Sequence, residues 1–358
     1  MSDSTSSLDA SAPRTQELLG RLAALPGGAS IGDLARRLAA LETLTREDVV
    51  TLEGALARVP NAGGPVGGSS EHLLRAGGKR LRPLCVALAA RMGTGFDARA
   101  VSLAVAVELV HAATLLHDDV VDLGEMRRGQ PAARIVFGNA AAIFAGDWLL
   151  VEALGHVVGA GMPDVLDGLL ATIREMIVAE SVQLERRGRT DGDAAVWRRI
   201  VDGKTASLFG WALAAGGRAG GVAAPAVEAL GRCGRHLGVA YQLQDDLLDL
   251  VGDPAATGKA LGTDLREGKL TLPLALALER EPRLKELLAA AMRDEAGADP
   301  KLVAEVRQIL QATGSVENAR EVAAREASAA AACLTPLAAS PARDALIAVT
   351  EAAVARSR

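Results

Sequence analysis

The sequence predicts an all-α protein, a single large helical bundle around a central cavity. Three observations carry this expectation. Hydrophobic residues make up 49% of the 358 residues but aromatics only 2%, and the apolar mass is Ala, Leu and Val in long stretches, which favours helices over sheets. Apolar positions recur at three- and four-residue spacing, and no strand-like alternation of convincing length appears. Glycine clusters and prolines interrupt the runs as helix stops do.

Taken in order, residues 1–30 open on MSDSTSSLDASAPR, Ser-rich with two Asp before any apolar run. That is the wrong order for a secretory signal and predicts a disordered tail. From 31 to 59 the pattern is helical, and Thr45 with Asp48 resembles a capping box that would start a second helix. PNAGGPVGGSS, residues 60–70, is dense in Gly and Pro and predicts a flexible connector. Helices are expected at about 71–92, 98–123, 134–160, 163–186, 194–216, 224–251 and 270–290, with three more within 299–358 broken at PLAASPARD. One all-helical domain over 31–358, with two helix layers enclosing the cavity, follows from that tally.

The formal net charge of -5 gives no electrostatic footprint for nucleic acid or an anionic membrane, so any polyanion must be met locally. Cys85, Cys233 and Cys333 are odd in number, far apart and without CxxC spacing, which indicates neither a disulfide framework nor a zinc site and suits a reducing cytoplasm. The longest apolar stretches, such as 135–146 before Asp147 and 101–107 before Glu108, stop short of the ~20 residues that a membrane span needs. A cytoplasmic chain with no integral membrane segment is expected.

Two segments break the apolar pattern. LLHDDVVD, residues 115–122, and QLQDDLLDL, residues 242–250, each set three aspartates into a run that otherwise reads as core. In a helix Asp118 and Asp122 share a face, with Asp119 turned about 100° away. His111 lies two turns earlier on that stripe. Gln242, Asp245 or Asp246, and Asp249 form a second stripe. Buried carboxylates must be hydrated, protonated or bound to metal, and oxygen ligands without nearby Cys suit hard Mg²⁺, which takes one or two carboxylates and completes its shell with phosphate oxygens and water. A lone DDxxD is most simply a solvated helix face; two copies favour the metal.

Cationic clusters supply the other half of an anion site. GGKRLRP, residues 77–83, puts Lys79, Arg80 and Arg82 between a Gly-Gly pair and Pro83, where a loop entering a helix offers backbone N–H groups and guanidinium forks. Arg127 and Arg128 follow Asp122, Lys204 and Thr205 sit inside an apolar helix, and Lys259 and Lys269 lie just beyond the second aspartate run. Each alone is ordinary surface charge; their closeness to the aspartates is not. His117, on a different face from His111, reads as a structural histidine, and Trp148, Trp197 and Trp211 as core or interface residues.

These motifs, in this order, resemble the trans-isoprenyl diphosphate synthases, the head-to-tail polyprenyltransferases, strongly over about 70–290 and weakly elsewhere. The resemblance implies an isoprenoid synthase-like fold and a prenyltransferase that condenses isopentenyl diphosphate with an allylic prenyl diphosphate. It implies that Lys79, Arg82, His111 and Arg128 hold the diphosphate of isopentenyl diphosphate. Arg127, Lys204, Thr205, Gln242, Lys259 and Lys269 match positions that grip the allylic diphosphate. The implied catalytic set is Asp118, Asp119, Asp122, Asp245, Asp246, Asp249 and Lys204. Mg²⁺ is the implied cofactor, three ions per active site held by aspartates and diphosphate, with Asp118, Asp122 and Asp245 as direct ligands. Ala113 and Thr114, small where family members making short products often carry an aromatic, imply an open floor and a product of twenty carbons or longer. A homodimer is the expected assembly. Two departures stand out: PNAGGPVGGSS occupies a region where the resemblance implies more helix, and the family's usual GE pair reads Ala179 and Glu180 here.

The rival readings are a class I terpene cyclase and a non-catalytic subunit of a heteromeric prenyl synthase. A cyclase has no second diphosphate to bind, so GGKRLRP with His111 would be superfluous, and its second metal motif usually mixes Asn, Ser and Glu. A non-catalytic subunit is expected to have lost aspartates, and this chain keeps all six.

Overall fold

Helices account for nearly every element of the computed structural model, which describes residues 29–252, 262–292 and 300–355. In chain order they are α1 (Ala29–Leu56), α2 (Gly64–Arg75), α3 (Leu81–Arg91), α4 (Ala98–Val121), α5 (Ala133–Phe137), α6 (Asn139–Gly159), α7 (Pro163–Arg186), α8 (Ala194–Val201), a π-helical turn (Asp202–Ala206), α9 (Ser207–Ala219), α10 (Ala224–Val251), α11 (Thr263–Arg266), α12 (Leu272–Arg280), α13 (Leu284–Ala291), α14 (Pro300–Ala312), α15 (Ser315–Leu334) and α16 (Pro341–Val354). The expected all-α class holds. The small departure is a two-stranded hairpin, β1 (Met126–Arg127) antiparallel to β2 (Gln130–Pro131), too short to leave an alternating pattern.

The chain divides into two compact units, each discontinuous in sequence. The first comprises Met1–Leu169, Ala212–Gly231 and Leu337–Ala348; the second comprises Leu170–Trp211, Arg232–Pro336 and Val349–Arg358. The core of the first is α4, whose Leu103, Leu109 and Leu116 are fully buried, each such side chain contributing about 1.5–3 kcal/mol. Asp97 starts that helix by accepting the Arg99 and Ala100 amides. Helix α6 packs closely on α4: a side chain at Gly146 would run into the His117 ring, whose Nε2 bonds the Ile143 carbonyl at 3.1 Å. His117 is therefore the structural histidine expected. The second unit packs α10 and α12–α15 around Leu243, Leu247, Leu274, Leu284 and Leu310, with Trp197 in the same cluster.

Several local expectations are corrected. Residues 64–70 are not a connector but the first turns of α2. Gly67 and Gly68 are there because Asn61 and Phe137 occupy the space that their side chains would fill, so tertiary contact overrides weak propensity. Thr45 caps nothing: its hydroxyl bonds back to the Leu41 carbonyl at 2.9 Å, Asp48 accepts from Arg91, and α1 runs unbroken. Gly138, at φ 85°, separates α5 from α6 within the expected helix 134–160. Residues 1–28 of the expected tail lie outside the described residues, and α1 begins two residues inside it. By length and composition alone, α4 and α6 are long and apolar enough to cross a membrane, which the apolar stretches within them were not; α4 is mostly buried in the fold, whereas α6 leaves Phe144, Val151 and Val158 exposed.

Candidate active site

In the first unit, α4 delivers its carboxylates at its very end. The Asp122 amide closes the last turn on the Asp118 carbonyl at 2.8 Å, which stacks Asp118 and Asp122 on one face as the spacing predicts. Asp119 points elsewhere and is 1% exposed. The chain then turns through Leu123, at φ 55°, and the hairpin brings Arg127 back so that its Nε donates to Asp119 Oδ1 at 2.9 Å, with Nη2 on the same oxygen. Asp119 Oδ2 is buried and has no hydrogen-bond partner among the described residues. Burial pushes this carboxyl above the usual range, and Arg127 opposes the shift.

The basic loop lies in the same unit. Gly77 and Arg80 take positive φ, 72° and 47°, which ends the expected helix 71–92 and starts α3 afresh after Arg80. Arg128 binds the Gly77 carbonyl, and a side chain at Gly78 would meet its guanidinium at 3.0 Å, so the glycine pair is the cradle of Arg128. Lys79 stays exposed. Arg80 turns inward instead, onto Glu53 at 2.9 Å and Glu108 at 2.5 Å. His111 is held well below its ordinary value by burial first, then by the positive fields of Arg82, Arg128, Arg127 and Arg80. The positive field at this imidazole, to which Arg82 contributes most and Arg80 least, favours an anion nearby, although Arg80 and Arg127 are already paired with carboxylates. Ala113 is buried and Thr114 half-buried, its hydroxyl donating to the His111 carbonyl at 2.8 Å.

The state of His111 sets a pH dependence. An unfolded imidazole titrates near pH ~6.5, whereas the folded one takes its proton only well below that. The unfolded chain therefore binds the extra proton first, and stability falls as pH drops below about 6.5, by up to about 1.4 kcal/mol per unit for one group. Urea midpoints measured from pH 7.5 to 5.5 should fall less steeply for His111→Gln than for the parent chain; parallel curves would overturn the assignment.

In the second unit, Asp193 caps α8 by accepting the Ala195 amide at 2.7 Å. The π turn Asp202–Ala206 then re-aims the side chains, an irregularity common at functional sites. Gly203 allows it, since a Cβ there would lie 2.7 Å from Ala179 Cβ. Lys204 pairs with Glu180 at 2.5 Å, so both members of the departing Ala179–Glu180 pair touch this turn. Thr205 Oγ1 donates to Gln242 Oε1 at 2.9 Å, and Gln242 Nε2 donates to Asp246 Oδ1 at 2.8 Å. Asp246 is buried, which pushes its carboxyl up to about 7 against the opposing hydrogen bonds from Gln242 and Trp197.

Asp249 accepts the Thr263 and Asp264 amides at 3.1 and 3.0 Å, starting α11. Asp245 is half-buried beside it on α10. Lys269 pairs with Glu267 at 2.7 Å. Lys259 lies outside the described residues. Sequence reasoning missed Glu180, Asp264 and the bond made by Trp197. Asp264 is buried, and its carboxyl is held well above the usual range by burial and by Asp249 and Asp246; its place in GTDLREGK was the available signal.

Oxygen is the donor type that fits Mg²⁺. In the first unit Asp118 and Asp122 offer it from one helix face, with Asp119 Oδ2 buried beside them and without a hydrogen-bond partner among the described residues; in the second unit, Asp245 on α10 is a half-buried carboxylate of the same kind. No group of three His, Cys, Asp or Glu able to hold a metal occurs among the described residues.

Residues 66–311 match the family model described as polyprenyl synthetase. The octaprenyl diphosphate synthase of Escherichia coli is 38% identical over 289 residues, 80% of this chain and 88% of that protein. Component 2 of the heptaprenyl diphosphate synthase of Geobacillus stearothermophilus is 37% identical over 71% of this chain and 79% of its own length. A polyprenyl synthase of Caulobacter crescentus, solved with calcium and isoprenyl diphosphate, superposes with a TM-score of 0.84 at 36% identity, covering 89% of this chain and 98% of that one.

Proposed function

Because the chain belongs to the polyprenyl synthetase family and is a prenyltransferase, we propose that it joins isopentenyl diphosphate head-to-tail to an allylic diphosphate, extending a trans-polyprenyl diphosphate to twenty carbons or more. The observation that carries the reading is the pair of stacked carboxylates, Asp118 and Asp122, closing the helix that also bears His111, with the positive fields of Arg82, Arg128, Arg127 and Arg80 acting on that imidazole.

In this reading Lys79, Arg82, Arg128 and His111 hold the diphosphate of isopentenyl diphosphate. Neutral His111 takes part as a hydrogen-bonding group, not as a charge. Lys204, Thr205, Gln242, Lys259 and Lys269 hold the allylic diphosphate. Arg127 joins them through the part of its guanidinium that Asp119 does not hold. Asp118 and Asp122 on α4 and Asp245 on α10 would bind Mg²⁺, three ions in all. When bound, Mg²⁺ stabilises the charge that develops on the departing pyrophosphate. Fixed Lys and Arg donors of the chain stabilise the same charge without reorganising. The allylic C1–O bond breaks, the isopentenyl double bond attacks C1, and a proton passes to the released pyrophosphate. Apolar walls keep water from the allylic cation.

Small Ala113 and Thr114 are the basis for a long product, as are the octaprenyl and heptaprenyl names of the relatives. The test is to incubate the chain with Mg²⁺, radiolabelled isopentenyl diphosphate and each allylic starter, then size the products. Chains of twenty or more carbons are expected. Arrest at fifteen overturns the length, a cyclised hydrocarbon points to the terpene cyclase, and no incorporation by the chain alone points to a subunit of a heteromer.

For the assembly, the reading takes a homodimer. Phe144, Val151 and Val158, 61%, 63% and 62% exposed, form one apolar face of α6 that a second copy would cover. The relative named component 2 favours a heteromer as the runner-up. Sedimentation of the chain alone separates them, a monomer arguing against the homodimer. Cys85, Cys233 and Cys333, three in number and without CxxC spacing, suit the cytoplasm, where we set the chain.

A further inference from the structure

Trp197 reads from sequence as a core residue, and its ring is indeed in the core of the second unit, 6% exposed among Val201, Leu243 and Leu247. Core packing accounts for the ring but not for the indole N–H, which donates to Asp246 Oδ2 at 3.0 Å. The other carboxylate oxygen accepts from Gln242 Nε2 at 2.8 Å, and Gln242 is itself fixed by the Thr205 hydroxyl at 2.9 Å. Both oxygens of Asp246 are thus engaged by protein donors, and the residue is 4% exposed.

A carboxylate so held is poorly placed to face a diphosphate-bound ion. Its two bonds tie one face of α10 to α8 and to Gln242 instead. Asp246 is one residue after Asp245, so anchoring one carboxylate sets the direction of the other, about 100° round the helix. The anchor is itself tied to its surroundings. The residue after Trp197, Arg198, ties α8 to Asp202 at 2.9 Å and to Glu326 of α15. Removing a hydrogen-bonding partner behind a metal ligand typically costs about 10- to 100-fold in metal affinity or activity.

We propose that Trp197 is a positioning residue for the second aspartate set: its indole N–H and the Gln242 amide clamp Asp246, which aims Asp245 and binds no metal itself. The inference rests on the reading of Asp245 as a Mg²⁺ ligand.

The test is Trp197→Phe, which keeps an aromatic ring in the core and removes the donor. With Mn²⁺ as the probe and inorganic pyrophosphate present, binding followed by electron paramagnetic resonance should weaken about tenfold. KM for isopentenyl diphosphate should stay unchanged, a split that general loosening of the fold would not give. In a double-mutant cycle, Trp197→Phe on top of Asp246→Asn should add less than twofold if the indole acts through that carboxylate. Unchanged Mn²⁺ binding in Trp197→Phe, or full additivity in the cycle, overturns the inference. Gln242→Leu removes the other donor from a half-buried position and keeps the test decisive if Trp197→Phe does not fold; unchanged Mn²⁺ binding there overturns the clamp. Asp245→Asn separates the two readings. If it leaves Mn²⁺ binding intact, the ligand assignment fails; if it weakens binding while Trp197→Phe does not, only the role of Trp197 fails.

Discussion

Asp118→Ala will fold normally and lose turnover, with kcat/KM for condensation lower by on the order of 10³ or more. The helix does not need the side chain. The backbone carbonyl of residue 118 accepts the Asp122 amide, and alanine is the better helix former. What disappears is a carboxylate on the face that Asp118 shares with Asp122. In the proposed mechanism that oxygen holds an ion whose worth is several kcal/mol of charge stabilisation as pyrophosphate departs, and about 4 kcal/mol corresponds to a thousandfold in rate. Binding of isopentenyl diphosphate, assigned to Lys79, Arg82, Arg128 and His111, should survive. The measurement is steady-state incorporation of labelled isopentenyl diphosphate, with circular dichroism to verify the fold. Activity within tenfold of the parent chain would sink the metal role of Asp118. Asp119→Ala is a different experiment, because it releases Arg127 and opens a buried position, and a loss there would not report on metal binding alone.

What was legible in advance follows from which forces are local. The spacing of Asp118 and Asp122 places them on one face whatever the rest of the chain does, because a helix of 3.6 residues per turn dictates it. Prolines and glycines marked most helix ends for the same reason. What was illegible depends on partners distant in sequence. Gly67 and Gly68 read as a loop, yet the space next to them is filled by Asn61 and Phe137, and only the packed structure reveals that a helix is compatible. The π turn at Asp202–Ala206 has no composition signal of its own; it depends on Gly203 meeting Ala179. Arg127 and Asp119, eight residues apart, find each other through a hairpin too short to predict. Trp197 and Asp246 meet across 49 residues. Motif spacing thus identified the aspartates, while which aspartate is held by protein donors emerged from the fold.

The same division applies to GGKRLRP, where three cations look alike and one is not. Arg80→Met will destabilise the chain by about 3–5 kcal/mol, although its neighbours Lys79 and Arg82 are assigned to substrate. Arg80 is 5% exposed and bridges Glu53 of α1 to Glu108 of α4 just as α3 begins. Removing the guanidinium leaves Glu108, 2% exposed, as a buried carboxylate without its ion partner, which is far costlier than never having the pair. Methionine is the informative replacement because its unbranched stem follows the path of the arginine. It does not repair the positive φ of 47°, which arginine tolerates no better, so strain cancels in the comparison. Adding Glu108→Leu should recover most of the loss, since the penalty lies in the orphaned charge and not in the missing bond. Urea unfolding of the parent, the single variant and the double variant measures all three terms. A single variant as stable as the parent, or a double variant no better than the single, would show that Arg80 and its two glutamates are not what ties α1, α3 and α4 together.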